Sequence, residues 1–171
     1  VSDLLQSLHR MKNDKNDTVK VLPLKNNHYD LETKGDTLVM GILNLTPNSF
    51  SQDGLHGKGF DSTVKKVFEM KEDGADIIDI GGETYFRPGA DDIDAEEEME
   101  RVLPLIQHLK RINFLLPISI DTRKASVAKK VVREGADLIN DVSGGKYDSK
   151  MISTAADLGV PYIGMHMRGN P

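Results

Sequence analysis

The sequence has 171 residues, 38% hydrophobic and 29% charged, and carries a net charge of −5 at pH 7. That length suits one domain with a sizeable core and is short for two. With no cysteine and no tryptophan, the chain has no thiol chemistry or disulfide of its own, and neither its charge nor its few aromatics suit a nucleic-acid partner. No apolar run approaches the ~20 residues of a membrane span, and no secretory signal pattern opens the chain. The expectation is therefore a cytoplasmic protein with no membrane partner, a mitochondrial location staying open for a eukaryotic source.

Residues 1–35 read as an N-terminal extension and barrel cap. Ser2 is placed to cap a short helix carrying Leu4, Leu5, Leu8 and Met11 on one face. Residues 12–17 are a polar linker, and 18–24 suit a short strand. The main domain occupies 36–171. It opens with Val39-Met40-Gly41-Ile42-Leu43, an unbroken apolar run that predicts a strand buried on both faces, as in a parallel sheet. Pro47 stops it near Leu45.

After a polar, Gly-rich loop to Gly59, Asp61-Ser62 opens a helical pattern with Val64, Val67 and Phe68 on one face and Gly74 as its stop. A second strand spans 76–80, and a loop follows over 81–92. The acidic run 91–100 reads as the solvated start of a helix that continues through Val102, Leu103, Ile106 and Leu109, with a kink expected at Pro104. Strands are predicted at 117–121, 137–141 and 160–166, and helices over 124–134 and 148–158.

The pattern is β-α repeated, so a parallel α/β sheet follows. Glu72-Asp73-Gly74-Ala75-Asp76-Ile77-Ile78-Asp79 is echoed by Arg133-Glu134-Gly135-Ala136-Asp137-Leu138-Ile139-Asn140. A repeating βα unit fits a barrel better than a two-winged dinucleotide fold, and no G-x-G-x-x-G turn follows the first strand. Each strand ends on a polar residue, where α/β folds place their ligands.

Several of these strand-end residues carry two readings. Asp121 is either a carboxylate that accepts two N–H bonds from a guanidine-like ring edge or the N-cap of the next helix. Asn140 offers one acceptor and two donors. Asn44 is either an amide-oxygen ligand for a hard cation or a turn asparagine. Arg87, Arg123 and Arg168 stand near strand ends and suit an anion such as phosphate, or are surface arginines. His166 is either a core histidine or a ligand.

Gly41-Ile42-Leu43-Asn44-Leu45-Thr46-Pro47-Asn48-Ser49-Phe50-Ser51 closely resembles the first signature of the dihydropteroate synthases. Residues 74–83, with Arg87-Pro88-Gly89, resemble the second, and Ser119-Ile120-Asp121-Thr122, Ile139-Asn140-Asp141 and Met165-His166-Met167 follow in the family's order. The resemblance implies a TIM (β/α)8 barrel, of which this chain supplies about the first five βα units. It also implies a reaction: a 6-hydroxymethyl-7,8-dihydropterin diphosphate condenses with para-aminobenzoate, giving 7,8-dihydropteroate and diphosphate in folate biosynthesis. Alternatives are a pterin-binding methyltransferase of the same superfamily and a noncatalytic half-barrel. By position Asn44 matches a Mg2+–diphosphate ligand, and Asp121 and Asn140 match pterin ligands. Met165 matches a pocket wall, Thr84 and Phe86 fall where the substrate loop lies, and Asp53 and Arg87 take the catalytic positions. A homodimer, sulfonamide sensitivity and fusion to an upstream pterin pyrophosphokinase domain are further implications.

The chain departs from the pattern in two loops. Asn48 stands where the family has an aspartate, Gln52 takes the place of the next one, and Asp53 comes one position late. The second loop, Thr84-Tyr85-Phe86-Arg87-Pro88-Gly89, is one residue longer than the family's. The chain begins at Val1 rather than Met and ends after the fifth strand, so a portion of a longer polypeptide is expected.

Overall fold

The computed structural model describes residues 38–45, 58–83, 93–166 and 168. The expected N-terminal extension lies outside them. The elements are β1 (Met40–Asn44), α1 (Lys58–Glu72), β2 (Ile77–Gly81), α2 (Ala95–Arg111), β3 (Ile118–Asp121), α3 (Ala125–Glu134), β4 (Leu138–Asp141), α4 (Met151–Leu158) and β5 (Tyr162–Gly164). All five strands are parallel, in the sheet order β1-β2-β3-β4-β5. Each strand lies beside its predecessor with a helix between, which is how a (β/α)8 barrel is built. The described residues supply five of its strands and the four helices between them.

The repeated eight-residue segment has a physical reason. Gly74 and Gly135 adopt φ of 96° and 139°, which a side chain resists, so each ends its helix and turns the chain back. The alanine after each donates its N–H into the helix just ended, Ala75 to the Met70 carbonyl and Ala136 to the Val131 carbonyl. The aspartate that follows reaches the neighbouring strand: Asp76 accepts from the Val39 N–H at 2.8 Å, and Asp137 from the Ile118 N–H at 2.9 Å. Each thus satisfies a donor at the start of the previous strand and helps set the strand register.

Alternation sorts the strand side chains onto two faces. Leu43, Ile78, Ile80, Ile118, Ile120 and Ile139 face the helices and form the core with Val67, Val102, Leu105, Ile106, Leu109 and Val127. On the inner face Ile77 and Leu138 pack with Met40 in a smaller cluster. Burying an aliphatic side chain contributes about 1.5–3 kcal/mol, so the helix-facing layer carries most of the stability.

Several sequence expectations change. β1 is not buried on both faces: Ile42 is 63% exposed, because nothing among the described residues covers its inner side. The first helix begins at Lys58 rather than Asp61. There the Ser62 and Thr63 hydroxyls donate to the Gly59 carbonyl and hold the first turn. Pro104 lies inside α2, as expected, and the helix continues through it; the proline removes one helix bond while the Val102–Leu109 face stays packed. Glu98 in that helix is fully buried, so the acidic start is not wholly solvated. α4 begins only at Met151, since residues 142–150 form turns and bends around Asp141, and β5 is shorter than predicted.

Candidate active site

The strand register sets out the carboxyl-end row of the inner face. Asn44 lies beside Gly81, Gly81 beside Asp121, Asp121 beside Asn140, and Asn140 beside Ile163. The next row down holds Ile42, Asp79, Ser119 and Leu138. The fold therefore gathers two amides, two carboxylates and a hydroxyl onto one otherwise apolar face.

Gly81 makes a notch in this row. A methyl group added there would lie 3.1 Å from Asn44 Oδ1 and 3.3 Å from Asp121 Oδ2. Without a side chain on β2 at that level, Asn44 and Asp121 flank a gap instead of a wall.

Asp121 does not cap α3. Thr122 Oγ1 accepts from the Lys124 N–H at 3.2 Å, and Asp148, from the β4–α4 segment, accepts from the Ala125 N–H at 2.9 Å. Asp121 Oδ1 is instead buried without a hydrogen-bond partner among the described residues. Burial pushes its pKa up to about 7, with further contributions from the charges of Asp79, Glu98, Asp141 and Glu83. Asp79 is also raised, chiefly by burial, while Ser119 and Asn140 act in the opposite direction. Its Oδ2 accepts from Asn140 Nδ2 at 2.9 Å.

Beside the row lies an ion cluster that anchors the exit of β2. Lys124 Nζ donates at 2.7 Å to both Glu83 and Glu98, and Arg123 pairs with Glu83 at 2.8 Å. The Arg123 guanidinium also stacks on the Tyr147 ring, 3.9 Å from its centroid. Arg101 donates to the Gly82 carbonyl at 2.8 Å. Burial alone would depress the Lys124 pKa, but its two carboxylate partners raise it; Glu98 is raised by its own burial against the pull of Lys124. Arg123 is thus engaged with Glu83 and Tyr147, while Arg87, another of the three arginines, lies outside the described residues.

Past β4, Asp141 organises the next segment. Its carboxylate accepts from the Ser143 and Gly145 N–H groups and from the Tyr162 hydroxyl, each at 2.8 Å, and its carbonyl accepts from the Met165 N–H at 3.1 Å. Burial and the nearby Asp141 charge push the Tyr162 pKa well above its usual range.

Among the sequence-predicted residues, Asn44, Asp121 and Asn140 come together in the inner row. Met165 follows β5 and is 40% exposed. His166 is exposed, so it is not a core histidine. Asp53, Thr84, Phe86 and Arg87 lie outside the described residues. Sequence reasoning missed Asp79, Ser119, the Gly81 notch and the Glu83–Lys124–Glu98 cluster. For the first three the signal was present, since inner and outer positions alternate along Ile77–Gly81 and Ile118–Asp121. The cluster joins residues from three separate elements, and no local pattern announces it.

The family described as pterin binding enzyme matches residues 40–171. A dihydropteroate synthase of Bacillus subtilis is 50% identical over 138 residues, 81% of this chain and 47% of that protein. A mitochondrial folate synthesis bifunctional protein of Arabidopsis thaliana is 45% identical over 154 residues, 89% of this chain and 27% of that one. The crystal structure of 7,8-dihydropteroate synthase from Vibrio fischeri matches with a TM-score of 0.71 at 41% identity, covering 88% of this chain and 50% of that chain. The chain thus spans about half the length of these bacterial relatives. With a family match across the whole sheet and its strand-end row, this chain belongs to the pterin binding enzymes.

Proposed function

We propose that the chain is part of a dihydropteroate synthase. The observation that carries this reading is the inner row Asn44–Gly81–Asp121–Asn140, in which a buried Asp121 carboxylate oxygen has no partner among the described residues. Relatives named dihydropteroate synthase at 50% and 41% identity support it, and none of the relatives described above favours the methyltransferase alternative.

In the proposed reaction the bond between the pterin methylene carbon and the diphosphate oxygen breaks, and its electron pair leaves with diphosphate. The aniline nitrogen of para-aminobenzoate forms the new bond to that carbon and then loses a proton. No covalent enzyme nucleophile is required. Asp121 accepts N–H bonds from the guanidine-like edge of the pterin. Such donors favour the ionised carboxylate, so binding draws its pKa back down from about 7. Asn140 supplies a donor and an acceptor beside it, and Met165 forms a pocket wall. Arg87 stabilises charge developing on the departing diphosphate, with Asp53 assisting from the first loop, while Thr84 and Phe86 contact the aminobenzoate.

The amide oxygen of Asn44 would hold Mg2+. The donor set fits: Asn44 is exposed at the mouth of the row, and Mg2+ commonly takes one or two protein oxygens together with waters and substrate phosphate. Among the described residues no cluster of three acidic, histidine or cysteine groups offers a denser site. The ion supplies charge neutralisation at the leaving group. A homodimer, and in eukaryotes an upstream pterin pyrophosphokinase domain, complete the proposal.

The test is to incubate the full-length protein with the pterin diphosphate, para-aminobenzoate and Mg2+ and to follow dihydropteroate by mass and diphosphate by release. Both products in equal amounts are expected. Absence of dihydropteroate while both substrates remain intact would refute the synthase reading.

A further inference from the structure

Asp79 lies one row below Asp121 and Asn140, 3% exposed, on a strand that is buried throughout. Apart from Ser119, the other inner positions at or below that level are apolar: Ile42 and Leu138 in the same row, Met40 and Ile77 beneath. A purely packing role would be served better by another such side chain, because a buried carboxylate is costly unless it is bonded. Asp79 Oδ2 has one strong partner, Asn140 Nδ2 at 2.9 Å, whereas Oδ1 makes no full hydrogen bond among the described residues. The hydroxyl of Ser119, its register neighbour, is buried as well and acts on Asp79 without reaching full hydrogen-bond geometry, and it has no other partner among the described residues.

The chemistry of that single bond is directional. An asparagine amide has nearly the same shape whichever way it is turned, yet one end donates and the other accepts. An ionised carboxylate only accepts, so Asp79 selects the rotamer in which Nδ2 faces it. Asn140 is left with its Oδ1 and one Nδ2 hydrogen for anything that binds over the row. Without Asp79, no other side-chain hydrogen bond of Asn140 among the described residues would fix this choice. The internal sequence repeat brings the two residues to equivalent positions, Asp79 ending one eight-residue segment and Asn140 the other.

We propose that Asp79 is the positioning residue that fixes the amide of Asn140, and through it the donor–acceptor pattern that the pterin-binding row presents. The assignment rests on the pterin reading of the site. Asp79 acts through Asn140 and is not itself assigned to the ligand. An aspartate here therefore determines which heterocycle edges are accepted, favouring rings whose edge presents a donor to Oδ1 beside an acceptor for the remaining N–H.

The experiment is a double-mutant cycle in the full-length protein, titrating 6-hydroxymethylpterin calorimetrically into the parent, Asp79→Asn, Asn140→Ala and the double variant. Asp79→Asn keeps the shape but offers Asn140 either a donor or an acceptor, so the orientation is no longer imposed. It should lose roughly tenfold in pterin affinity, the scale of one charge-assisted hydrogen bond. The double variant should bind no worse than Asn140→Ala alone, since residues acting as one unit do not add. The KM for para-aminobenzoate should stay within about twofold of the parent, because uniform loosening of the fold would not separate the two substrates.

Unchanged affinity in Asp79→Asn, or losses that add across the cycle, would overturn the assignment. Asp79→Ser is the second variant if Asp79→Asn does not fold. Failure of both to fold would make Asp79 a structural carboxylate and overturn it too. A parent that binds no pterin removes the pterin reading and this assignment with it, whereas a parent that binds alongside an unaffected Asp79→Asn removes this assignment alone.

Discussion

Replacing Asp121 by asparagine should move stability and ligand binding in opposite directions. In the folded chain Asp121 keeps its proton up to about pH 7, against an ordinary 3.8. The unfolded chain releases that proton near the ordinary value, so between about pH 4 and pH 7 the folded state binds more protons. Unfolding free energy from this group therefore falls as pH rises through that window and levels off above it. The rise from 3.8 to about 7 corresponds to ~4 kcal/mol for the charged form, at ~1.4 kcal/mol per pH unit. That is an upper bound, because Asp79 and the other nearby carboxylates respond as well, so about 2–4 kcal/mol is expected at pH 8. Asp121→Asn removes the charge at nearly constant shape. It should be more stable than the parent at pH 8, about equal to it at pH 4, and about 10–100-fold weaker for pterin. Urea unfolding followed by circular dichroism at pH 4, 5, 6, 7 and 8, together with titration of 6-hydroxymethylpterin, measures both sides. A stability difference that does not grow with pH would refute the electrostatic reasoning, and unchanged pterin affinity would remove Asp121 from the site.

Lys124→Met should destabilise the full-length protein by about 3–5 kcal/mol in chemical denaturation, because Glu83 and Glu98 would be left buried without their shared cation. A loss below ~1 kcal/mol would mean that the cluster is held by other groups. Gly81→Ala should close the notch between Asn44 and Asp121 at a cost of about 1–3 kcal/mol in pterin-diphosphate binding, read as a raised KM with the fold intact by circular dichroism; an unaltered KM would mean the notch is not used. Deleting Phe86 should restore the family's loop length and lower the sulfonamide inhibition constant relative to the aminobenzoate KM, since overpacking penalises the bulkier ligand more. An unchanged ratio would place the extra residue away from that ligand.

Much of the architecture could be read from the sequence because parallel strands buried between layers leave short apolar runs, and each run here is punctuated by Gly, Pro or a polar end. The repeated helix-stop segment was legible for the same reason, although its purpose was not. That Asp76 and Asp137 bond to the strand before them depends on which strands become neighbours. At the site, Asn44, Asp121 and Asn140 stood out because each ends an apolar run. Asp79 was visible only as the end of such a run, and its bond to Asn140 depends on strand register. Burial of Glu98 was the least legible feature: at the start of an acidic helix it looks like its exposed neighbours, and only Lys124, from a different βα unit, explains why it is inside. Boundaries were misread where side chains bond locally to the backbone, as Ser62 and Thr63 do in the first turn of α1 and as Asp141 does in the turns ahead of α4.

The strictly sequential strand order also bears on how the sheet is assembled. Among the described strands, β2 to β5 each pair with the strand made immediately before it, so each of these closures spans only one helix and its connections. Closing a short segment costs less chain entropy than bridging the whole molecule. During synthesis the growing sheet can thus add one βα unit at a time, each new strand finding an edge already in place. The aspartates at 76 and 137 are suited to that sequence: each travels with a newly arriving strand and bonds to a donor on its predecessor. They act as stitches that fix one row before the next is laid down.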